Sequence, residues 1–283
     1  MIKSSYEICR ICGIPIKVDL SLIILFLLVK GMFNDPLYDL MAFVLLVVSI
    51  VLHELGHSLV ARQFGCRVRD ITLMLIGGAA SLDELPRKPW QELLVAAAGP
   101  AVSFLLGGLA IWLAAPVLVT HPVTGQPIYA FLHRGFQQVI YYAFGWGNLW
   151  LGIFNLIPAF PMDGGRILRA LLQQCFMTRL KATWLASRIG RGVALLFVAC
   201  VFLHLMGLDI PVIGGSFNLL LIAYFIFVSA DREYRLVYLQ EGGGWGGGTW
   251  RFPKDPPSDK GKVTVDPPPY GKSKTKTDVY RDE

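Results

Sequence analysis

Charged residues are scarce in this sequence. Asp, Glu, Lys and Arg make up 16% of its 283 residues, against 54% hydrophobic residues. Length alone would allow one or two soluble domains, but apolar runs of about 20 residues recur through residues 1–235. A helix of that length crosses the hydrocarbon core of a bilayer. The composition therefore favours a polytopic membrane protein.

Cysteines are also few, with five scattered along the chain, so a disulfide framework is not expected. Cys9 and Cys12 have metal or redox spacing, but an isolated pair is weak evidence. The net charge of +6 is modest, and its Lys and Arg residues lie between apolar runs, which argues against nucleic-acid binding. Residues 1–15 lack a clean apolar core and a small-residue cleavage site, so we expect no cleavable signal peptide.

The segment His53-Glu54-Leu55-Gly56-His57 interrupts a long apolar run. Imidazoles at positions i and i+4 share one helix face, one turn apart, and can bind the same metal ion. The glutamate between them is the residue type that activates water at such a site. Each ionisable group in a membrane helix costs roughly 2.5–3.5 kcal/mol, so three in one turn need a compensating partner. The pattern predicts a metal site.

Two histidines leave a catalytic zinc ion one protein ligand short of the usual three. Asp163 follows the fourth apolar run in a Pro- and Gly-rich break, which could turn its carboxylate back toward the histidines. An ordinary turn residue is the competing interpretation of Asp163. Rival ligands on the same predicted membrane face are Asp70, Asp83 and Glu84.

The apolar runs predict six membrane helices, at about 22–33, 37–64, 90–119, 139–157, 193–208 with some upstream residues, and 216–230. The first part of 166–191 is basic and amphipathic, which predicts an interfacial helix. Lys and Arg concentrate in one set of loops, so the positive-inside rule places both termini in the cytoplasm. His53, His57 and Asp163 then lie toward the cytoplasmic face. Three other histidines fall toward the opposite face: His121, His133 and His204.

Residues 71–82 differ from the predicted helices because they are short, β-prone and interrupted by Gly77-Gly78. Two strands around a Gly-Gly turn would form a hairpin too short to span a bilayer. Its free edge could pair with an unwound substrate strand. A plain connecting loop is the alternative.

From about Gln240 the composition shifts to Gly, Pro, Lys, Asp and Ser, which cannot form a core. We therefore divide the chain into a six-helix domain, 1–235, and a disordered cytoplasmic tail, 236–283. The predicted fold class is an all-α polytopic membrane protein with about six transmembrane helices, a short membrane-associated β-hairpin and a disordered C-terminal tail.

The histidine motif together with Asn-Leu-Ile-Pro-Ala-Phe-Pro-Met-Asp-Gly-Gly at 155–165 resembles the site-2 protease family of intramembrane zinc metalloproteases. The resemblance covers roughly residues 10–235. It implies one zinc ion per chain, bound by His53, His57 and Asp163, with Glu54 as the catalytic base. It also implies regulated intramembrane proteolysis of a transmembrane protein or peptide.

The same resemblance implies that the hairpin near Gly77 and Gly78 faces the substrate. Asn148 and Asn155 resemble the family's asparagines that hold substrate backbone, although hydrogen bonding between helices is their ordinary role in a membrane. No PDZ-like insertion and no regulatory nucleotide-binding pair is evident, which is typical of small prokaryotic forms. We accordingly expect a multi-pass protein of the prokaryotic inner (cell) membrane, surrounded by lipid and open to control by a regulatory membrane partner.

Two other function classes remain open. A transporter or channel also carries intramembrane His and Glu, but it predicts ion flux and does not need Asp163 beside the histidines. A proteolytically inactive scaffold predicts that binding of a membrane partner survives substitution of the metal ligands.

Overall fold

The computed structural model describes residues 5–74, 77–82, 86, 88–120, 127–131, 133, 135–175, 177–207 and 218–241. The helices of these residues are α1 (Leu22–Val29), α2 (Pro36–Gln63), α3 (Pro89–Leu113), α4 (Phe136–Val139), α5 (Gly147–Asn155), α6 (Asp163–Gln174), α7 (Arg179–Leu205) and α8 (Asn218–Gln240). A π-helical segment, Ile140–Trp146, joins α4 and α5 into one continuous helix. The strands are β1 (Ser5–Ile11), β2 (Ile14–Asp19), β3 (Val68–Met74), β4 (Gly77–Leu82), β5 (Val117–Thr120) and β6 (Pro127–Ala130).

Helices dominate this architecture, as expected from the composition. Within the described ranges, α2, α3 and α7 are long and apolar enough to cross a membrane. The other predicted spans, and hence the count of six, stay a prediction. The class "all-α" is too narrow, because strands β1 to β4 form a sheet in that order and β5 pairs with β6.

The junction between α1 and α2 is set by one buried carboxylate. Asp39 accepts hydrogen bonds from the backbone N–H groups of Gly31 at 2.6 Å and Phe33 at 2.9 Å. Gly31 has a φ of +89°, a left-handed conformation that glycine adopts without strain. These bonds stop α1 at Val29, short of the predicted end at residue 33, so α1 is only about 12 Å long. After this turn, Asp35 caps α2 by accepting from Leu37 N at 2.8 Å.

Helix α3 ends at Leu113, six residues before the predicted end, and Val117–Thr120 is a strand. The physical reason is Pro116, since the residue before a proline is disfavoured in α-helical conformation. In contrast to α3, α7 is longer than predicted. It begins at Arg179, where the Thr178 hydroxyl accepts from Lys181 N at 3.4 Å.

The four-stranded sheet packs against the helix that carries the histidine motif. Strand β2 runs parallel to β3, and both the β1–β2 and β3–β4 pairs are antiparallel. Alternate residues of β2 and β3 form a buried cluster with Leu55 of α2; these are Ile14, Ile16, Ile71 and Leu73. The sheet is therefore fixed to the turn that contains Glu54.

The predicted hairpin pairing is present between β3 and β4, but the Gly-Gly pair lies within a strand. Gly77 and Gly78 are strand residues, paired with Met74 and Leu73, and do not form the turn. A glycine in a strand commonly marks a close approach by another group, and Gly78 does so here. Strands β1 and β2 were not predicted.

Helices α2 and α3 approach closely through small residues. A Cβ atom on Gly56 would lie 2.9 Å from the Val102 side chain and 3.1 Å from the Ala98 carbonyl oxygen. Farther along α3, a Cβ on Gly107 would lie 2.8 Å from the Gly145 carbonyl. Small residues are expected where membrane helices pack backbone to backbone. The predicted tail is 236–283, but residues 236–240 are helical because α8 continues to Gln240. From residue 242 onward the tail lies outside the described residues.

Candidate metal centre

Three side chains from two helices converge on one point. His53 and His57 lie on one face of α2, and Asp163 is the first residue of α6. The Asp163 Oδ2 atom is 3.2 Å from His53 Nε2 and 3.1 Å from His57 Nε2. The two Nε2 atoms are themselves 3.2 Å apart. All three residues are buried, with 3%, 4% and 7% of their surfaces exposed.

The far nitrogen of each imidazole is held by α3. His57 Nδ1 donates to the Val95 carbonyl oxygen at 2.7 Å. His53 Nδ1 lies 2.9 Å from Ser103 Oγ. A backbone carbonyl can only accept, so the His57 Nδ1 atom carries the proton and its Nε2 atom presents a lone pair to the cluster in the neutral imidazole. Ligating histidines are commonly oriented in this way.

The converging atoms fit a tetrahedral metal ion. At zinc–ligand distances of about 2.0–2.1 Å, two ligands at a tetrahedral angle are about 3.3 Å apart. The three observed separations are 3.1–3.2 Å. Two imidazole nitrogens and one carboxylate oxygen are also a donor set that zinc accepts, leaving a fourth position for water or substrate. Among the described residues, these three form the only group of His, Cys, Asp or Glu that is compact enough for a metal ion.

Gly99 allows α3 to pass directly over the imidazole pair. A Cβ at this position would overlap the His57 ring and lie 2.7 Å from His53 Nε2. No side chain fits there. Gly99 therefore gives α3 room beside the metal cluster.

Asp163 reaches the histidines because the preceding segment folds back on α6. A Cβ at Gly165 would lie 2.7 Å from the backbone of Ala159 and Phe160, and one at Gly164 would overlap the Leu156 carbonyl. Both glycines therefore let residues 156–160 cross the first turn of α6. This crossing directs the Asp163 carboxylate toward α2.

The glutamate of the motif lies on the strand side of the cluster. Glu54 is half-buried, and a Cβ on Gly78 of β4 would overlap its side chain, with Glu54 Oε1 at 3.0 Å. Strand β4 is the last strand of its sheet among the described residues. Glu54 thus follows His53 directly in α2 and packs against the edge strand β4.

Of the rival ligands, Asp70 is not brought to this site. The Asp70 carboxylate accepts from Lys17 Nζ at 2.6 Å within the sheet, and it does not join the three-residue group. Asp83 and Glu84 lie outside the described residues, as does His121. His133 is exposed, and His204 lies in the last turn of α7.

The two asparagines make hydrogen bonds to helices. Asn148 is fully buried, and its Nδ2 donates to Ser49 Oγ at 2.8 Å and to the Phe144 carbonyl at 2.7 Å. Asn155 is half-buried at the end of α5 and donates to the Leu151 carbonyl at 3.0 Å. Asn148 of α5 is thus linked to Ser49 of α2, one helical turn before His53. Hydrogen bonding between helices is the ordinary role of an asparagine in a membrane.

Replacing Ser49 by alanine should lower the free energy of unfolding by about 0.5–2 kcal/mol, because the buried Asn148 amide loses its partner on α2. Reversible unfolding of the detergent-purified protein measures the change. Asn155→Ala is the matched comparison, since its bond lies within one helix, and we expect a smaller loss. Equal stability of Ser49→Ala and wild type would show that this bond does not hold α5 to α2.

Sequence reasoning missed Val95, Gly99 and Ser103 as parts of the centre. Their spacing of four residues places them on one face of α3, and that periodicity was visible in the sequence. It could not show that this face meets the histidines, because contact between two helices depends on the tertiary fold.

The fold and the site together define the class of this protein. It is a helical membrane protein with a metalloprotease-type centre, in which a histidine pair on an apolar helix meets a distant aspartate and a glutamate lies in the same turn as the histidines.

Comparison with known proteins agrees with that class. Residues 41–199 match the model of peptidase family M50. The chain is 36% identical to zinc metalloprotease MJ0392 of Methanocaldococcus jannaschii over 238 residues, covering 83% of this chain and 62% of that protein. It is 40% identical to sll0528 of Synechocystis over 198 residues, covering 70% of this chain and 48% of the relative. A solved structure of a site-2 protease from M. jannaschii is 36% identical, with a TM-score of 0.55, covering 82% of this chain and 95% of that one.

The chain belongs to peptidase family M50. The resemblance to site-2 proteases that the sequence suggested is confirmed. The chain spans roughly half to three fifths of the length of the curated relatives it matches.

Proposed function

We propose that this protein is an intramembrane zinc metalloprotease that hydrolyses peptide bonds in or near transmembrane segments of membrane proteins. The observation that carries the proposal is the convergence of His53 Nε2, His57 Nε2 and Asp163 Oδ2, with Glu54 in the same helix turn as the two histidines. Neither ion transport nor simple partner binding requires a glutamate in that turn that packs against an edge strand.

Each residue of the centre has a distinct task. His53, His57 and Asp163 would hold one zinc ion per chain, while Ser103 and Val95 fix the two rings. When bound, zinc would polarise the scissile carbonyl and make water a stronger acid. The Glu54 carboxylate takes the proton from the attacking water and returns it to the leaving amine.

The substrate must be extended before it can react, because a helix hides its carbonyl groups in bonds four residues apart. The outer edge of β4, which includes Gly77 and Gly78, would pair with the unwound segment and present it to Glu54. Asn155 is the better placed of the two asparagines to hold substrate backbone, since it is half-buried at a helix end. Asn148 is enclosed between α5 and α2.

Lys and Arg placement supports six spans with both termini in the cytoplasm. We place the protein in the inner (cell) membrane of a prokaryote. Helices α2, α3 and α7 supply three of these spans. The division into a protease domain, 1–235, and a tail, 236–283, belongs to the same proposal.

Proteomics of membrane fractions from cells that carry wild-type or Glu54→Gln protein tests this function. Wild-type cells should accumulate paired fragments cut within or beside transmembrane segments, and Glu54→Gln cells should lack them. His57→Ala serves as a second inactive control. Identical fragment sets in all three cell lines would contradict the proposal.

A further inference from the structure

A fully buried arginine joins three helices beside the metal centre. Arg169 lies in α6, six residues after Asp163, and is 0% exposed. Its Nε atom donates to Glu92 Oε1 of α3 at 2.9 Å, and its Nη2 atom donates to the same oxygen. Its Nη1 atom donates to Glu233 Oε1 of α8 at 2.6 Å. Arg169 therefore links α6 simultaneously to α3 and α8.

Two contacts of Arg169 connect it, through neighbouring residues, to the metal ligands. Glu92 lies three residues before Val95, whose carbonyl accepts from His57. The Arg169 guanidinium carbon lies 5.2 Å from the centre of the Phe160 ring, and Phe160 precedes Asp163 by three residues. The Arg169 side chain thus contacts both the turn of α3 that orients His57 and the segment that precedes Asp163.

Stability alone does not account for a charged group in this place. Replacing a buried ion pair with apolar residues is often neutral or stabilising, because desolvation offsets much of the attraction. Burial by itself lowers the pKa of the Arg169 guanidinium, but the Glu92 and Glu233 carboxylates raise it above its ordinary value. What the planar guanidinium adds is geometry, since its donors point in fixed directions and its face stacks on an aromatic ring.

We propose that Arg169 is a positioning residue for the metal centre, which fixes the His57 imidazole relative to the Asp163 carboxylate through Glu92 and Phe160. This inference rests on the proposed metal site. It assigns Arg169 no contact with substrate or metal.

The test measures zinc affinity by competition with a chelator, and the visible spectrum of the Co²⁺-substituted protein, in full-length protein that is monodisperse in detergent. Arg169→Met and Glu92→Gln should weaken zinc binding by about 10- to 100-fold and shift the Co²⁺ bands. Arg169→Lys should fall between them and wild type, because it keeps the charge but loses the planar fork. Asp231→Asn is the matched control. Asp231 lies in α8, two residues before Glu233, but it pairs with Arg191 of α7 and Arg235 of α8.

Wild-type zinc affinity and an unchanged Co²⁺ spectrum in Arg169→Met and Glu92→Gln would overturn the inference, even if both melted at lower temperature. If Arg169→Met does not fold, Glu92→Gln and Arg169→Lys decide by the same two measurements. A loss in Asp231→Asn equal to that in Glu92→Gln would also overturn it. Equal zinc binding by wild type and His57→Ala is a different result, because it refutes the proposed metal site itself.

Discussion

Glu54→Gln should reduce peptide hydrolysis by about 100- to 10,000-fold while the purified protein keeps its zinc, because the amide cannot take up the proton that the carboxylate removes from water. The side chain keeps its size, so its contact with Gly78 should persist. The rate of cleavage of a transmembrane model substrate and the zinc content per chain, measured on the same preparation, test this expectation.

Glu7→Gln is a suitable control, because Glu7 is an exposed carboxylate of β1 that pairs with Arg10. Its activity and zinc content should equal those of wild type. Retained proteolysis in purified Glu54→Gln protein would remove Glu54 from the role of base. Loss of zinc along with activity would instead assign Glu54 to the metal site.

Gly99→Ala should abolish stoichiometric zinc binding, although it adds a single methyl group. That methyl would occupy the space of the His57 ring and approach His53 Nε2, so either the rings turn away or α3 moves outward. Turned rings would separate atoms that now lie 3.1–3.2 Å apart. An outward shift of α3 would break the hydrogen bonds with Val95 and Ser103 that orient the rings. Metal analysis after dialysis against a zinc buffer measures the loss, and proteolysis should fall with it.

Gly108→Ala provides the matched control on the same helix. A Cβ at Gly108 meets no atom within 4 Å, and alanine is favoured over glycine in a helix by about 0.5–1 kcal/mol. This variant should bind zinc normally and be equally or slightly more stable. Equal zinc content in Gly99→Ala and Gly108→Ala would show that α3 does not pack on the imidazoles as described.

The sequence predicts the first half of the site well, because it is local. Two histidines four residues apart share a helix face wherever that helix lies, and Asp35-Pro36 marks the start of α2 within one residue of the expected position. Asp163 could be proposed from charge placement, since both motifs fall at the same membrane face. That proposal needs no knowledge of how the helices pack.

The remaining features depend on the tertiary fold. The turn after α1 forms because the Asp39 carboxylate accepts a hydrogen bond from Gly31 N, eight residues earlier in the chain. No sequence pattern within α1 predicts this turn. Gly99 and Ser103 join the site only because α3 packs on α2. Arg169 looked like part of an interfacial helix, and only the fold shows that Glu92 and Glu233 enclose it.

Strands β1 and β2 are a different case, because their signal is local and was overlooked. Ile14, Ile16 and Val18 alternate with other residues as in a half-buried strand. Cys12 and Gly13, with φ values of 51° and 77°, form the tight turn between two strands. The isolated Cys9–Cys12 pair thus belongs to this hairpin, and both thiols are free and exposed.

X-ray absorption spectroscopy at the zinc edge, on wild-type and Asp163→Ala protein, tests the central geometry most directly. The wild-type spectrum should fit two imidazole nitrogens and oxygen ligands at about 2.0–2.2 Å, with no sulfur. Asp163→Ala should lose zinc or bind it without the carboxylate. An identical metal environment in both proteins, or a wild-type site that lacks imidazole, would contradict the arrangement of His53, His57 and Asp163 around one ion.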